Sequence, residues 1–283
     1  MAGFLGVCSR GLAGYGFGPY ETALVRSLVT VVGLLAIMAV WRRDLFRAKI
    51  RDMWLFALFG VSKFLSDVTF FFAQSEISLG LATLLQMTSP FYVLALSYFM
   101  FRENVTYRKI LAMFLAFFGL MLVCDVITGA QDMSYVGVMC GIASGFFFAI
   151  YMIGGKVTVD RGYHPMTVIL YIFIFSLVVN LPFADIGTVA SAFSVPEALG
   201  YILFMGILLT LFPFLTDVWS VRVLSPTVVS MIGTLEAVSA AVVGWAFYGE
   251  SMSMLNIVGM AVVIGSVLLI NIRVSRSLMS RKR

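Results

Sequence analysis

The stretch SLGLATLLQMTSPFYVLALSYFMFRENVT, residues 78–106, returns in outline as SPTVVSMIGTLEAVSAAVVGWAFYGESMS, residues 225–253, 147 positions later. Each copy opens on a serine, Ser78 or Ser225, and runs apolar to an aromatic residue two positions before a glutamate. These are Phe101 before Glu103 and Tyr248 before Glu250. A hydroxyl follows three residues on, Thr106 or Ser253, placed to cap a new helix by accepting backbone N–H bonds. The same shift lays Ile110 on Ile257, Met113 on Met260 and Leu122 on Leu269, and Gly6-Val-Cys-Ser9 is echoed by Gly141-Ile-Ala-Ser144.

Apolar runs of this kind fill the chain, which is 283 residues long, 61% hydrophobic and 12% charged, with a mean hydropathy of +1.03. Each is long enough to cross the ~30 Å hydrocarbon core of a bilayer as a helix. Ten are expected, at residues 2–17, 21–41, 53–73, 78–101, 106–126, 134–155, 165–183, 197–220, 225–248 and 253–272. The expected fold is therefore an all-α membrane protein with ten transmembrane helices in two five-helix repeats. The first repeat covers residues 1–128 with a short first helix, the second covers 134–273, and a basic tail covers 274–283. Five is odd, so the second repeat enters the membrane from the opposite side. Inverted repeats of this kind build secondary transporters, with the site at the midplane between the halves.

Charge placement gives the orientation. The 2/3 connection carries Arg42, Arg43, Arg47, Lys49 and Arg51, and the 4/5 connection Arg102, Arg108 and Lys109. Lys156 and Arg161 flank the 6/7 connection, Arg222 lies in 8/9, and the tail holds Arg273, Arg276, Arg281, Lys282 and Arg283. The alternate connections carry no basic residue and hold Glu76, Asp132 and Asp185. Basic residues mark cytoplasmic loops, so both termini are expected in the cytoplasm of a multi-pass protein of the cell membrane. The same clustering between apolar runs argues against nucleic acid as the reason for a pI near 9.2. Cys8, Cys124 and Cys140 share no CxxC spacing and indicate neither a disulfide framework nor a metal site. Met1–Gly6 has no basic leader, so no cleaved signal peptide is expected.

Three basic and two acidic residues remain inside the spans: Arg10, Arg26, Lys63, Asp67 and Glu236. A charge at the bilayer centre costs ~2.5–3.5 kcal/mol on insertion scales, so these face a wet cavity or one another. At 1.5 Å per residue, Lys63 and Glu236 both fall near mid-membrane, with Gln86 and Ser89 at similar depth. Ser89 and Glu236 are partners under the repeat. Lys63 and Asp67, spaced i,i+4, share a helix face; they are either a self-neutralising pair or a pair lining the pathway. Glu236 has no basic residue on its own helix and is a candidate for proton coupling or for gripping an amine. Arg10 and Arg26 could each hold a substrate carboxylate bidentately, while Arg26 could equally snorkel outward or pair with Glu21. Tyr92, Tyr151, Trp219 and Trp245 are candidate substrate contacts. Asp217 reads as interfacial, Glu103 and Glu250 as turn residues, and Gly141 to Gly145 as a close-packing GxxxG. Pro90 and Pro213 are expected to kink their helices. The net +1 of the five buried charges hints at a substrate bearing a carboxylate.

Thr88-Ser89-Pro90-Phe91 followed by Phe101-Arg-Glu103-Asn-Val-Thr106 resembles the fourth-helix ending of EamA-type proteins in the drug/metabolite transporter superfamily. Thr234-Leu235-Glu236-Ala237-Val238 with Tyr248-Gly249-Glu250 resembles their ninth-helix ending, and Ser9-Arg10 with Pro19 and Arg26 their first two helices. Ala237 stands where proline is frequent, the upstream part of helix 1 is missing, and Lys63 and Asp67 replace uncharged or amide residues. The resemblance implies a metabolite transporter, usually an exporter, with no catalytic chemistry. The expected function is secondary transport of a small metabolite such as an amino acid or organic acid, by alternating access. The expected partners are a small-molecule substrate and the lipid bilayer, with a proton as the candidate coupling ion; homo-oligomerisation stays open. No cofactor is expected: there is no GxxxxGK[ST] for ATP, and a lone loop histidine, His164, disfavours an intramembrane enzyme. A non-transporting receptor or scaffold is the main rival.

Overall fold

The structure is a computed structural model and describes residues 2–41, 43–124, 134–248 and 252–280. Every regular element among them is helical. The first half contains α1 (Ala2–Ala13), α2 (Pro19–Trp41), α3 (Met53–Glu76), α4 (Leu79–Gln86), α5 (Ser89–Phe101) and α6 (Tyr107–Val123). The second contains α7 (Tyr135–Asp160), α8 (Pro165–Asn180), the short α9 (Ile186–Ala192), α10 (Pro196–Leu203), α11 (Phe212–Ser220), α12 (Pro226–Gly233), α13 (Leu235–Tyr248) and α14 (Met254–Ser280). Five stretches are long and apolar enough to cross a membrane: Pro19–Val40, Ile50–Glu76, Leu79–Phe101, Tyr135–Asp160 and Pro196–Ser220. Shorter apolar helices accompany them at Phe4–Ala13, Pro165–Asn180 and Met254–Ile270.

Three spans expected to be continuous are interrupted. The fourth splits into α4 and α5 at Met87-Thr88. Pro90 sits in the first turn of α5, where its missing N–H removes the donor that would have met the Gln86 carbonyl. The ninth splits into α12 and α13 at Thr234, which corresponds to Met87 under the 147-residue shift. No proline lies at this second break. Both breaks carry a threonine bonded back by three residues: the Thr88 hydroxyl donates to the Leu85 carbonyl (2.6 Å), and the Thr234 hydroxyl donates to the Met231 carbonyl (2.7 Å). Such local side-chain bonds compete with the helical ladder. The eighth span passes from α10 into α11 through a π-helical stretch, Phe204–Leu211, which ends just before Pro213. Wide turns of this type recur at functional positions.

The first helix also ends sooner than expected. Gly14-Tyr15-Gly16 turns the chain after Ala13, with Gly16 at φ 85°, a conformation open to glycine. At the other end α14 continues to Ser280, so the stretch expected as a tail is largely helical. Asp132, Glu250 and residues 281–283 lie outside the described residues.

Packing follows the small residues. The hydrocarbon of a membrane gives helices no hydrophobic reason to associate, so close van der Waals contact must do it. α6 lies along α14 with Gly119 and Gly259 backbone to backbone: a Cβ on Gly119 would stand 2.8 Å from the Gly259 carbonyl oxygen, and one on Gly259 2.7 Å from that of Gly119. α3 packs along α7 and α8, and α7 also presses on α4 and α5. There Gly141 meets Leu85, and Gly145 meets Thr88 and the Gln86 carbonyl, so the GxxxG pair clasps the first helix break. The free cysteines Cys8, Cys124 and Cys140 lie apart from the ionised cluster described next.

Candidate functional site

Asp67 is the centre of a buried ionic cluster. It accepts from Lys63 one turn earlier on α3, and its Oδ1 accepts from Arg26 Nη1 on α2 at 3.1 Å. Lys63 is fully buried, and Arg26 and Asp67 are each about 95% buried. The Arg26 Nε donates to the Thr210 hydroxyl at 3.0 Å, and Thr210 is presented by the π-helical stretch, where its own hydroxyl donates to the Met205 carbonyl. Arg26 therefore neither snorkels outward nor pairs with Glu21. Glu21 instead accepts from the backbone N–H groups of Gly18 and Asp185. A guanidinium this deep needs hydrogen-bonding partners to offset its desolvation, and Asp67 and Thr210 supply them from other helices.

Aromatic rings enclose the two cations. Lys63 Nζ lies 4.9 Å from the Phe173 ring centre and 4.6 Å from that of Phe214; the Arg26 guanidinium carbon lies 5.5 Å from Phe71 and 6.0 Å from Phe214. These are cation–π distances, and they strengthen as water is excluded. Phe214 thus touches both cations, and packs edge-on against Tyr151 and Phe173 as well.

A cavity of about 120 Å³ opens on the other side of this cluster. Arg26, Asp67, Gln86, Ser89 and Glu236 all line it, so five of the expected site residues converge from α2, α3, α4, α5 and α13. The two helix breaks supply Gln86, Met87 and Ser89 on one side of the repeat and Gly233 and Glu236 on the other. Ser89 and Glu236 lie in the first turns of α5 and α13, where a helix dipole favours negative charge. Phe214, Asp217, Met152 and Ser230 complete the part of the lining that bears on chemistry.

The remaining expected residues fall elsewhere. Lys63 does not line the cavity, but two residues that do, Phe214 and Asp67, are in contact with it. Tyr151 is fully buried, with a hydroxyl that has no hydrogen-bond partner, among Phe148 and Phe214. Tyr92 packs edge-on against Phe146, 5.6 Å between ring centres, and does not line the cavity. Arg10 is exposed near the end of α1, Trp219 meets His164 on the outside, and Trp245 is exposed. Asp217, expected to be interfacial, is in the lining instead, one turn after Phe214 on α11. Exchanging Arg10 for Asp217 reverses the expected balance: Arg26 and Lys63 face Asp67, Asp217 and Glu236, a formal −1 where +1 was expected. Glu103, read as a turn residue, also joins two helices. It pairs with Lys109 at 2.6 Å and accepts from the Thr227 hydroxyl of α12 at 2.9 Å.

A helical membrane bundle whose interrupted spans meet at a small ionised cavity is built as a small-molecule transporter. The chain belongs to the EamA-like transporter family, whose pattern matches residues 1–124 and 135–272; it is an EamA-type member of the drug/metabolite transporter superfamily. It is 26% identical to an uncharacterized transporter of Archaeoglobus fulgidus over 250 residues, covering 88% of this chain and 86% of the relative. It is 28% identical to the threonine/homoserine exporter RhtA of Escherichia coli over 257 residues, covering 88% and 80%. The uncharacterized transporter YdfC of Bacillus subtilis matches at 23% over 266 residues, 92% and 84%. A solved crystal structure superimposes with a TM-score of 0.75 at 13% identity, covering 97% of this chain and 96% of that one, and so has the same fold.

Proposed function

We propose that this protein is a secondary transporter that exports a small metabolite, such as an amino acid or organic acid, by alternating access around the cavity between Arg26 and Glu236. Its ten crossings form two oppositely oriented halves, residues 1–128 and 134–273, in the cell membrane with both termini cytoplasmic. One observation carries the reading: helix breaks 147 residues apart, at Met87 and Thr234, deliver Ser89 and Glu236 to one cavity. Interrupted helices in corresponding positions of two repeats are where such carriers bind their cargo. The alternation of basic connections supports the orientation. RhtA, a threonine/homoserine exporter by name, supports a zwitterionic cargo. With the Arg26 cation and the carboxylates Asp67, Asp217 and Glu236 in one lining, the cavity suits a substrate carrying both an amine and a carboxylate, with Glu236 as the group that exchanges an amine for a proton.

The test is flux of labelled L-threonine, L-homoserine and a panel of amino and organic acids in proteoliposomes, with and without a pH gradient. Glu236→Gln is expected to abolish flux or to uncouple it from the gradient. Undiminished, still pH-driven flux in that variant removes Glu236 from the mechanism. No flux of any panel member by the wild type favours the receptor or scaffold reading.

A further inference from the structure

Lys63 and Arg26 are short of acceptors. An ammonium has three N–H donors and a guanidinium five. Asp67 takes one from each, and the Thr210 hydroxyl takes the Arg26 Nε–H. The rest of Lys63 faces the Phe173 and Phe214 rings, which attract a cation but accept no conventional hydrogen bond. Of the carboxylates near this cluster, Asp67 is the one seen bonded to both cations, while Asp217 and Glu236 stand in the same lining as Arg26. Two groups that line the cavity touch Lys63: the Phe214 ring, 4.6 Å from its Nζ, and the Asp67 carboxylate that it pairs with.

Phe214 is mounted where the backbone departs from regular helix. It follows the π-helical stretch Phe204–Leu211 directly, with Pro213 between Phe212 and itself. A π-type turn spaces the ladder more widely and is a place for a helix to rotate. The same stretch carries Thr210, the partner of Arg26, so a rotation that moves Phe214 also loosens a bond to the second cation.

We infer that Lys63 and the free edge of Arg26 form an occluded anion site, closed here by the Phe214 ring, that takes the carboxylate of the cargo when α11 turns about the π-helical joint. The inference rests on the transport reading for its cargo, but the site itself can be tested without flux. An anion there supplies the acceptors that Asp67 alone does not, bidentately on Arg26 and as a charge-assisted bond on Lys63. Phe214 then acts as a positioning residue, because it decides whether cargo reaches Lys63.

The experiment measures acylation of Lys63 by a water-soluble amine-directed reagent, read by peptide mapping of the full chain in proteoliposomes. Lys156, less buried, serves as the internal reference. In the wild type Lys63 is expected to react slowly. Phe214→Ala should raise its rate at least about tenfold, the ratio for an opening easier by about 1.4 kcal/mol. In that variant acetate should slow labelling of Lys63 severalfold and tetramethylammonium should not. Phe214→Leu, which keeps apolar bulk without the ring, is the second variant should the alanine variant fold poorly; an intermediate rate with the same acetate protection is expected. Equal Lys63 rates in wild type and a folded variant overturn the inference, as does protection by both salts alike. Absent flux alongside acetate-protected Lys63 would count against the transport reading and leave the anion site standing.

Discussion

Replacing Asp67 by asparagine tests the buried cluster most directly. The change keeps side-chain volume and removes the one formal negative charge that Lys63 and Arg26 both contact. Breaking a buried ion pair by deleting one partner costs ~3–5 kcal/mol, because the surviving charge stays desolvated. Here two charges survive, so Asp67→Asn belongs at the upper end of that range. Lys63→Met is different. Arg26 and Asp67 remain as a neutral pair at 3.1 Å, and a thioether of similar length fits between Phe173 and Phe214. Its cost is expected to be well below that of Asp67→Asn, since no buried charge is left without its opposite. The two substitutions therefore couple with a change of sign: Lys63→Met is neutral or mildly destabilising in the wild type and stabilising in the Asp67→Asn background. A double-mutant cycle of unfolding in mixed micelles reads this coupling. Equal costs for the two single variants, or a Lys63→Met that worsens Asp67→Asn, would refute the shared-carboxylate account.

Other parts of the fold give sharper local tests. Gly119→Ala places a methyl group 2.8 Å from the Gly259 carbonyl oxygen and should cost ~1–3 kcal/mol as α6 and α14 are forced apart. Gly265→Ala on the same α14, with open space at its Cβ, should be neutral or slightly stabilising in the same thermal unfolding series. Thr227→Val removes the bond to Glu103, whose Lys109 pair remains, and should cost about 1 kcal/mol in the same assay. At the N-cap of α9, the Thr188 hydroxyl and the Gly187 N–H donate to Asp185 and hold its carboxyl below the usual aspartate value. A depressed folded value means that this cap contributes above the unfolded value and is lost as pH falls through the lower folded one. Amide protection factors in α9, corrected for intrinsic exchange, should accordingly fall only in strong acid, and Asp185→Asn, still a capping residue, should abolish that fall.

The helical spans were legible because their length and apolarity are one-dimensional properties. The repeat was legible because both copies are punctuated alike. The interruptions were less so. Pro90 announces a disturbance in the fourth span, but the break at Thr234 has no proline and carries a threonine that sequence spacing does not distinguish from an ordinary helical one. For Arg26 the sequence leaves open a substrate carboxylate, an outward snorkel or a pair with Glu21, because the residues within a turn are the only neighbours it displays. Its actual partners, Asp67 and Thr210, lie 41 and 184 residues away on other helices. Asp217 was set at the membrane edge by counting residues along a straight span, whereas the span contains a π-helical stretch and ends near the cavity. Its signal was available, since an aspartate within an apolar run belongs with the other intramembrane charges. Arg10 meets the same criterion and lies exposed, so a charge in an apolar segment does not by itself say which side chain reaches the cavity.

Met87 and Met152 bring a different quality to the lining. An unbranched thioether has several rotatable bonds and a polarisable sulfur, so it refills space around whatever shape is present. The fixed ionic groups beside them do not yield in that way. Under the transport reading proposed above, cargo of varied contour would be accommodated while cargo of the wrong charge pattern would be refused, and trimming either methionine would widen the accepted size range without disturbing that electrostatic screen.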